Sequence, residues 1–217
     1  EEADMGQEKE NPKLKYSPSP RKISLISINQ FRPEKNHALQ IEAFALAKQL
    51  AKSNSAVQKA VLRLVGGSRD ASDAKRVEAL RMLAEELKVA DQIEWYVNAP
   101  YSELRRLLGE AAAGLHSMRD EHFGIGVVEY MAAGAVAIAH NSGGPKSDIV
   151  TVDGVGKRGY LAETPEEYAN SIIKVLSMTE EDWCRIASAG QESSKRFSTQ
   201  NFQRDFLKSM GPILKTN

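Results

Sequence analysis

The sequence predicts an α/β domain built on a doubly wound, Rossmann-like parallel sheet. Two observations carry that prediction. Short apolar runs alternate along the chain with longer helical stretches, beginning with residues 23–28 and 37–51. Strands joined by crossover helices produce this alternation, and such units build parallel sheets. The runs also end in small or polar turn residues, as at Asn29-Gln30, Gly66-Gly67 and Asn141-Ser142-Gly143-Gly144. In an open parallel sheet, ligands bind beyond the carboxyl ends of the strands, so these turns are where function is sought.

The elements follow in order. Residues 1–21 are rich in Glu, Lys, Ser and Pro. They bury too little apolar surface to offset their ordering entropy, which predicts a flexible leader or interdomain linker. Residues 22–217 are then the folded domain, long enough for one adequate core. The apolar run at 23–28 reads as a strand and 37–51 as a helix. A second strand at 61–65 is ended by Gly66-Gly67, and 74–87 is helical. Residues 93–97 form a third strand, followed by a helix at 101–110 with Ser102 as its cap. Residues 112–116 are a strand of small side chains, and a helix starts at Gly124. Strands at 135–139 and 159–161 and helices at 165–176, 180–193 and 199–213 complete the pattern.

Composition excludes several function classes. There are 29 basic and 29 acidic residues, so no cationic excess points to nucleic acid or to an anionic membrane surface. Cys184 is the sole cysteine and forms no internal disulfide, which fits a reducing compartment. No apolar run approaches the roughly 20 residues that span a bilayer, so the chain is expected to be soluble without a membrane span. The first strand runs into Asn29-Gln30-Phe31 and lacks the Gly-rich dinucleotide fingerprint, which disfavours a nicotinamide-dependent dehydrogenase. No His, Asp or Glu cluster has metal-ligand spacing, so no metal and no cofactor are expected.

The segment from Asp120 to Gly134 is the most informative. Glu121 and Glu129 have seven residues between them, and Glu129 is the only charge between Gly124 and Ala139. A carboxylate is buried only with a partner, since an unpaired one costs several kcal/mol. Glu129 is therefore expected to be semi-buried, and Glu121 to be exposed just ahead of the helix. Free backbone N–H groups and the helix dipole favour an anion at that helix start. The residues leave two readings open. Glu129 pairs with a hydroxyl-rich ligand, or it pairs with a cation on a neighbouring helix while Glu121 is solvated.

The wording around the pair resembles one family. His116-Ser117-Met118, Glu121-His122-Phe123-Gly124-Ile125-Gly126-Val127-Val128-Glu129 and Asn141-Ser142-Gly143-Gly144-Pro145 are similar to the signature of retaining GT-B glycosyltransferases that use nucleotide-sugar donors. Gln30-Phe31-Arg32-Pro33-Glu34-Lys35 supports the same resemblance, which runs from about Ile23 to the end. Within that family the wording resembles mannosyltransferases of the dolichol pathway that form α-1,2 links.

The resemblance implies that the chain is the C-terminal, donor-binding half of a two-domain enzyme. The donor would be GDP-mannose and the acceptor a lipid-linked oligosaccharide, reached through an N-terminal domain. The full-length protein would work at the cytosolic face of the endoplasmic reticulum. Glu121 would meet the donor sugar and Glu129 the ribose. Backbone amides at Phe123, Gly124 and Ile125 would meet the sugar and diphosphate. Lys35 matches the family's lysine for the diphosphate. The family's arginine position is Gln30 here, and Arg32 is its substitute; otherwise Arg32 is a solvated partner of Glu34. Gly66 and Gly67 let backbone approach a ligand, or form an ordinary turn. Val97 and Asn98 would present backbone to the nucleobase, His116 would face the donor or be structural, and Gly143 and Gly144 would line the sugar pocket. Two other readings stay open: a nucleotide-binding module inert by itself, and a GT-B transferase using a UDP-sugar.

Overall fold

The computed structural model describes residues 23–150 and 157–214; the predicted leader lies outside them. Six parallel strands form one sheet in the order β3-β2-β1-β4-β5-β6. The strands are β1 (Ser24–Ile28), β2 (Val61–Gly66), β3 (Ile93–Val97), β4 (Ala113–His116), β5 (Val136–His140) and β6 (Gly159–Ala162). Among the described residues eight helices connect and cover them: α1 (His37–Leu50), α2 (Ser55–Lys59), α3 (Ala71–Glu86), α4 (Tyr101–Glu110), α5 (Ile125–Ala132), α6 (Pro165–Ser177), α7 (Glu180–Ser194) and α8 (Thr199–Leu214). Every predicted strand and helix is present, so the expected doubly wound sheet is the one observed.

The central strands β1, β2, β4 and β5 are buried on both faces, which is why they read as apolar runs rather than alternating ones, whereas edge strand β3 buries only Ile93. Leu25, Leu62, Leu64, Leu115 and Ile138 pack with Phe44, Tyr168 and Ile172 on one face. Ile26 and Val65 point the other way, against Leu107 of α4 and Tyr130 of α5. Gly114 in β4 lets the Tyr130 ring lie flat on the sheet, since a Cβ there would come 2.2 Å from that ring.

Boundaries differ from the sequence reading where side chains cap helices. Helix α3 begins at Ala71, before the expected 74, because the Asp70 carboxylate accepts from the amides of Ser72 and Asp73 at 2.9 Å each. Ser102 does not cap α4; Pro100 stands at that N-cap position. The short helix α2 escaped prediction because only Val57 among its residues is buried. Asn54 stabilises it by accepting from the amides of Ala56 and Val57, and Lys48 donates to the carbonyls of Val57, Gln58 and Ala60 at its far end.

Candidate functional site

The order in which strands are added reverses between β1 and β4, and such a switch point opens a crevice at the carboxyl edge of the sheet. A cavity of about 320 Å³ lies there. Asn29, Gln30 and Lys35 line it from the loop after β1, and His116 from the end of β4. Glu121, Phe123, Gly124, Ile125 and Glu129 close it from the loop before α5 and from α5 itself. Seven of the predicted site residues thus share one cavity.

Lys35 and Glu121 meet inside it. A tight turn at Pro33–Lys35 carries the lysine, and Asn36 takes a left-handed conformation with φ 47° to start α1. Lys35 Nζ donates to Glu121 Oε2 at 2.7 Å and lies 3.1 Å from Met118 Sδ. His116 Nε2 stands 3.5 Å from the same carboxylate oxygen. Burial works against the charged form of Glu121. The hydrogen bond and charge of Lys35, with His116 behind it, outweigh burial and hold the carboxyl pKa below its ordinary value. His116 is 2% exposed. Burial first, and Lys35 second, push its pKa down to about 4, so the ring is neutral at physiological pH. Its Nδ1 has no hydrogen-bond partner among the described residues, and Tyr168 donates to its backbone carbonyl at 2.8 Å.

The two glutamates exchange the environments expected of them. Glu121, predicted exposed, is the paired and mostly buried one, with 17% of its side chain accessible. Glu129, predicted semi-buried, lies on the exposed face of α5 with Ile125, and its carboxylate has no hydrogen bond or ion pair among the described residues. Helix α5 buries Val127, Val128, Tyr130 and Met131 and turns Ile125 and Glu129, four residues apart, toward the cavity mouth. An apolar stretch alone did not reveal that face. Though accessible, Glu129 sits close enough to protein for desolvation to raise its carboxyl pKa.

Glycines shape the loop that carries Glu121. Gly124 precedes α5 at φ 95°, where side chains are strained. Gly143 and Gly144 are not among the residues lining this cavity. They stand behind the loop: a Cβ on Gly143 would come 2.2 Å from the Glu121 carbonyl, and one on Gly144 2.3 Å from that of Phe123. The Gly144 amide donates to the Glu121 carbonyl at 2.8 Å. Pro145 opens a single π-helical turn at Pro145–Ile149.

Gly66, Gly67 and Asn98 line a neighbouring cavity of about 410 Å³, which shares Ile28 and Asn29 with the first. The Asn98 side chain is engaged there, accepting from the Ser68 amide at 2.8 Å and donating to its carbonyl at 3.1 Å. Val97 ends β3 without lining either cavity. Arg32 lines neither cavity; it is half-buried, its guanidinium lies 3.8 Å from Glu34, and its Nε has no hydrogen-bond partner among the described residues.

Tyr130 lines neither cavity but supports the crevice from beneath, a role that motif wording does not reveal. Its hydroxyl accepts from the Ile28 amide at 2.8 Å and donates to the Leu115 carbonyl at 3.1 Å. It thereby pins the ends of β1 and β4, the two walls of the crevice. A tyrosine beside Glu129 in an otherwise apolar helix was the available signal, since a buried phenol needs partners.

Residues 8–193 match the family described as Glycosyl transferases group 1. The chain belongs to that family. It is 48% identical over 193 residues to the human GDP-Man:Man(3)GlcNAc(2)-PP-Dol alpha-1,2-mannosyltransferase, covering 88% of this chain and 39% of that protein. The protein of the same name from Dictyostelium discoideum is 42% identical over 203 residues, covering 93% of this chain and 39% of its own length. The chain thus spans about two fifths of these relatives. Among solved structures, a glycosyltransferase from Rickettsia africae superposes with a TM-score of 0.74 at 21% identity, over 92% of this chain and 50% of that one. Anabaena HepE in complex with UDP and glucose gives 0.73 at 18% identity, over 88% and 49%. The fold is therefore that of one half of a GT-B glycosyltransferase. Among the described residues no helix is long and apolar enough to cross a membrane, and no group of three or more His, Cys, Asp or Glu residues could hold a metal ion.

Proposed function

We propose that this chain binds GDP-mannose as the donor half of a retaining α-1,2-mannosyltransferase acting on a dolichol-linked oligosaccharide. The observation that carries the reading is the Lys35–Glu121 pair at the switch point of the sheet, in a chain 48% identical to a relative bearing that activity in its name. The relatives' shared name favours GDP-mannose over a UDP-sugar.

In this reading the chemistry runs through the residues of the crevice. Lys35 leaves Glu121 for the diphosphate and offsets charge that develops on it as the glycosidic bond breaks, which is electrostatic stabilisation of the transition state. Glu121 then accepts from hydroxyls of the sugar. The amides at and just ahead of the start of α5, at Phe123, Gly124 and Ile125, face the same ligand, at the helix end where backbone N–H groups lack carbonyl partners. Glu129 accepts from the ribose hydroxyls. Lys35 supplies charge that a metal ion supplies in other transferases, and no cofactor enters the scheme. The acceptor oligosaccharide is bound by a further domain of the whole protein, which works at the cytosolic face of the endoplasmic reticulum.

Titration calorimetry with GDP, UDP and GDP-mannose tests the donor. The reading expects GDP and GDP-mannose to bind and UDP to bind more weakly. Preference for UDP would make the chain a UDP-sugar transferase domain, and no binding of any of the three would remove the donor assignment.

A further inference from the structure

We propose that Ser117, held in place by Gln40, is a positioning residue that fixes Lys35 opposite Glu121; the proposal rests on the donor reading above. Ser117 follows His116 beyond β4 and is 1% exposed. Its hydroxyl lies 2.7 Å from the Lys35 carbonyl and 2.9 Å from the Asn36 carbonyl. Gln40, in the first turn of α1 and fully buried, donates from Nε2 to the same hydroxyl at 2.7 Å. The hydroxyl therefore accepts once and shares its single proton between two carbonyls.

Those carbonyls belong to the turn that delivers the lysine. Asn36 holds φ 47° and ψ 51°, the left-handed region that, glycine aside, asparagine is among the few residues to adopt readily. Local bonds in the turn are modest: the Lys35 amide reaches the Arg32 carbonyl at 3.2 Å and the Asn36 amide that of Pro33 at 3.1 Å. Ser117 adds the link across the crevice, from the end of β4 to the loop after β1. The lysine enters the cavity from one of these segments. His116 belongs to the other, which runs on to Glu121. A lysine stem has four rotatable carbons, so its ammonium is placed only as well as its backbone is held. A buried polar trio of this kind selects one arrangement of neighbouring segments.

The test is titration calorimetry on this chain with GDP and with guanosine, for the parent, Ser117→Ala, Gln40→Met and Lys35→Ala. Ser117→Ala is expected to lose about three- to tenfold in GDP affinity while guanosine affinity changes by less than about twofold. Gln40→Met, similar in shape, shows a smaller loss of the same diphosphate-specific kind and carries the comparison if Ser117→Ala does not fold. A readout without ligand accompanies it: carbon NMR of the Glu121 carboxyl shows its pKa moving up toward the ordinary value in Ser117→Ala, a change that a purely structural role would not produce. Equal losses for GDP and guanosine, or an unmoved Glu121 titration with unchanged GDP affinity, overturn the proposal. If Lys35→Ala keeps the parent's preference for GDP over guanosine, the diphosphate reading falls and the clamp with it. If Lys35→Ala loses that preference while the Ser117 and Gln40 variants keep it, the clamp alone falls.

Discussion

Lys35 Nζ and Glu121 Oε2 stand 2.7 Å apart across the crevice between β1 and β4. Each is more than three-quarters removed from solvent, where an ion pair is stronger than at an open surface but each charge has lost hydration. In the proposed reading, the diphosphate of a donor would take the ammonium and its sugar hydroxyls the carboxylate, so both charges would stay partnered when the pair opens.

Lys35→Ala tests the cation half of that exchange. GDP affinity should fall by about 1.5–3 kcal/mol, the worth of a hydrogen bond to a charged group, while guanosine affinity holds. Arg32→Ala, which removes a partner of Glu34 outside the cavity, should leave both unchanged. Parallel losses for nucleoside and nucleotide in Lys35→Ala would mean general damage to the domain.

Glu129→Gln probes the proposed ribose contact. The side chain makes no bond within the described structure, so thermal stability should match the parent. GDP and guanosine should both bind more weakly by about 1–3 kcal/mol, because both carry the ribose. Binding as tight as the parent's would remove Glu129 from the site.

The contrast between the two glutamates shows what a sequence can carry. The sheet was legible because its central strands are buried on both faces and so stand out as short apolar runs, from Leu25-Ile26 to Ala137-Ile138-Ala139. The membership of Lys35, Glu121 and Glu129 in one site followed from motif wording. Which glutamate was paired did not follow, because it depends on the rotation of α5 and on a lysine 86 residues away. Gly143 and Gly144 were legible as special positions. Their use in bracing the Glu121 loop depends on packing between two loops that no local pattern encodes.

Gly143→Ala makes that bracing measurable. The residue sits at φ 54°, and its new Cβ would lie 2.2 Å from the Glu121 carbonyl and 3.0 Å from the Glu121 amide. The Glu121 backbone must shift. Stability should fall by about 1–3 kcal/mol, with a loss of GDP affinity beyond that of a folded control. Gly109→Ala is the control: nothing lies within 4 Å of its Cβ and it sits in α4, so it should be neutral or stabilise by up to about 1 kcal/mol. An unaltered melting temperature for Gly143→Ala would show that the loop yields freely.

The last prediction concerns acid. His37 begins α1, is 3% exposed and stacks on Phe31 with ring centroids 5.0 Å apart. Neither ring nitrogen has a hydrogen-bond partner among the described residues. Burial, then the charges of Lys35 and Arg76, then His116, push its pKa down to about 4. The unfolded chain takes the proton near the ordinary histidine value of about 6.5. Between those values the unfolded form binds more protons than the folded one. Stability is therefore fully present above about pH 6.5 and is lost as pH falls through the window toward 4. A displacement of this size is worth about 3 kcal/mol. His116 titrates with the same sign, and so does Glu121, whose pKa is also held low; the His37 share must come from a difference. Urea unfolding at pH 7, 6, 5 and 4 on the parent and on His37→Phe supplies it. The variant keeps a ring against Phe31 but has no proton to gain, so its stability should decline less steeply below pH 6.5. Identical slopes for the two proteins would mean that His37 takes its proton in the fold at the same pH as in the unfolded chain, and that its surroundings admit water or an anion.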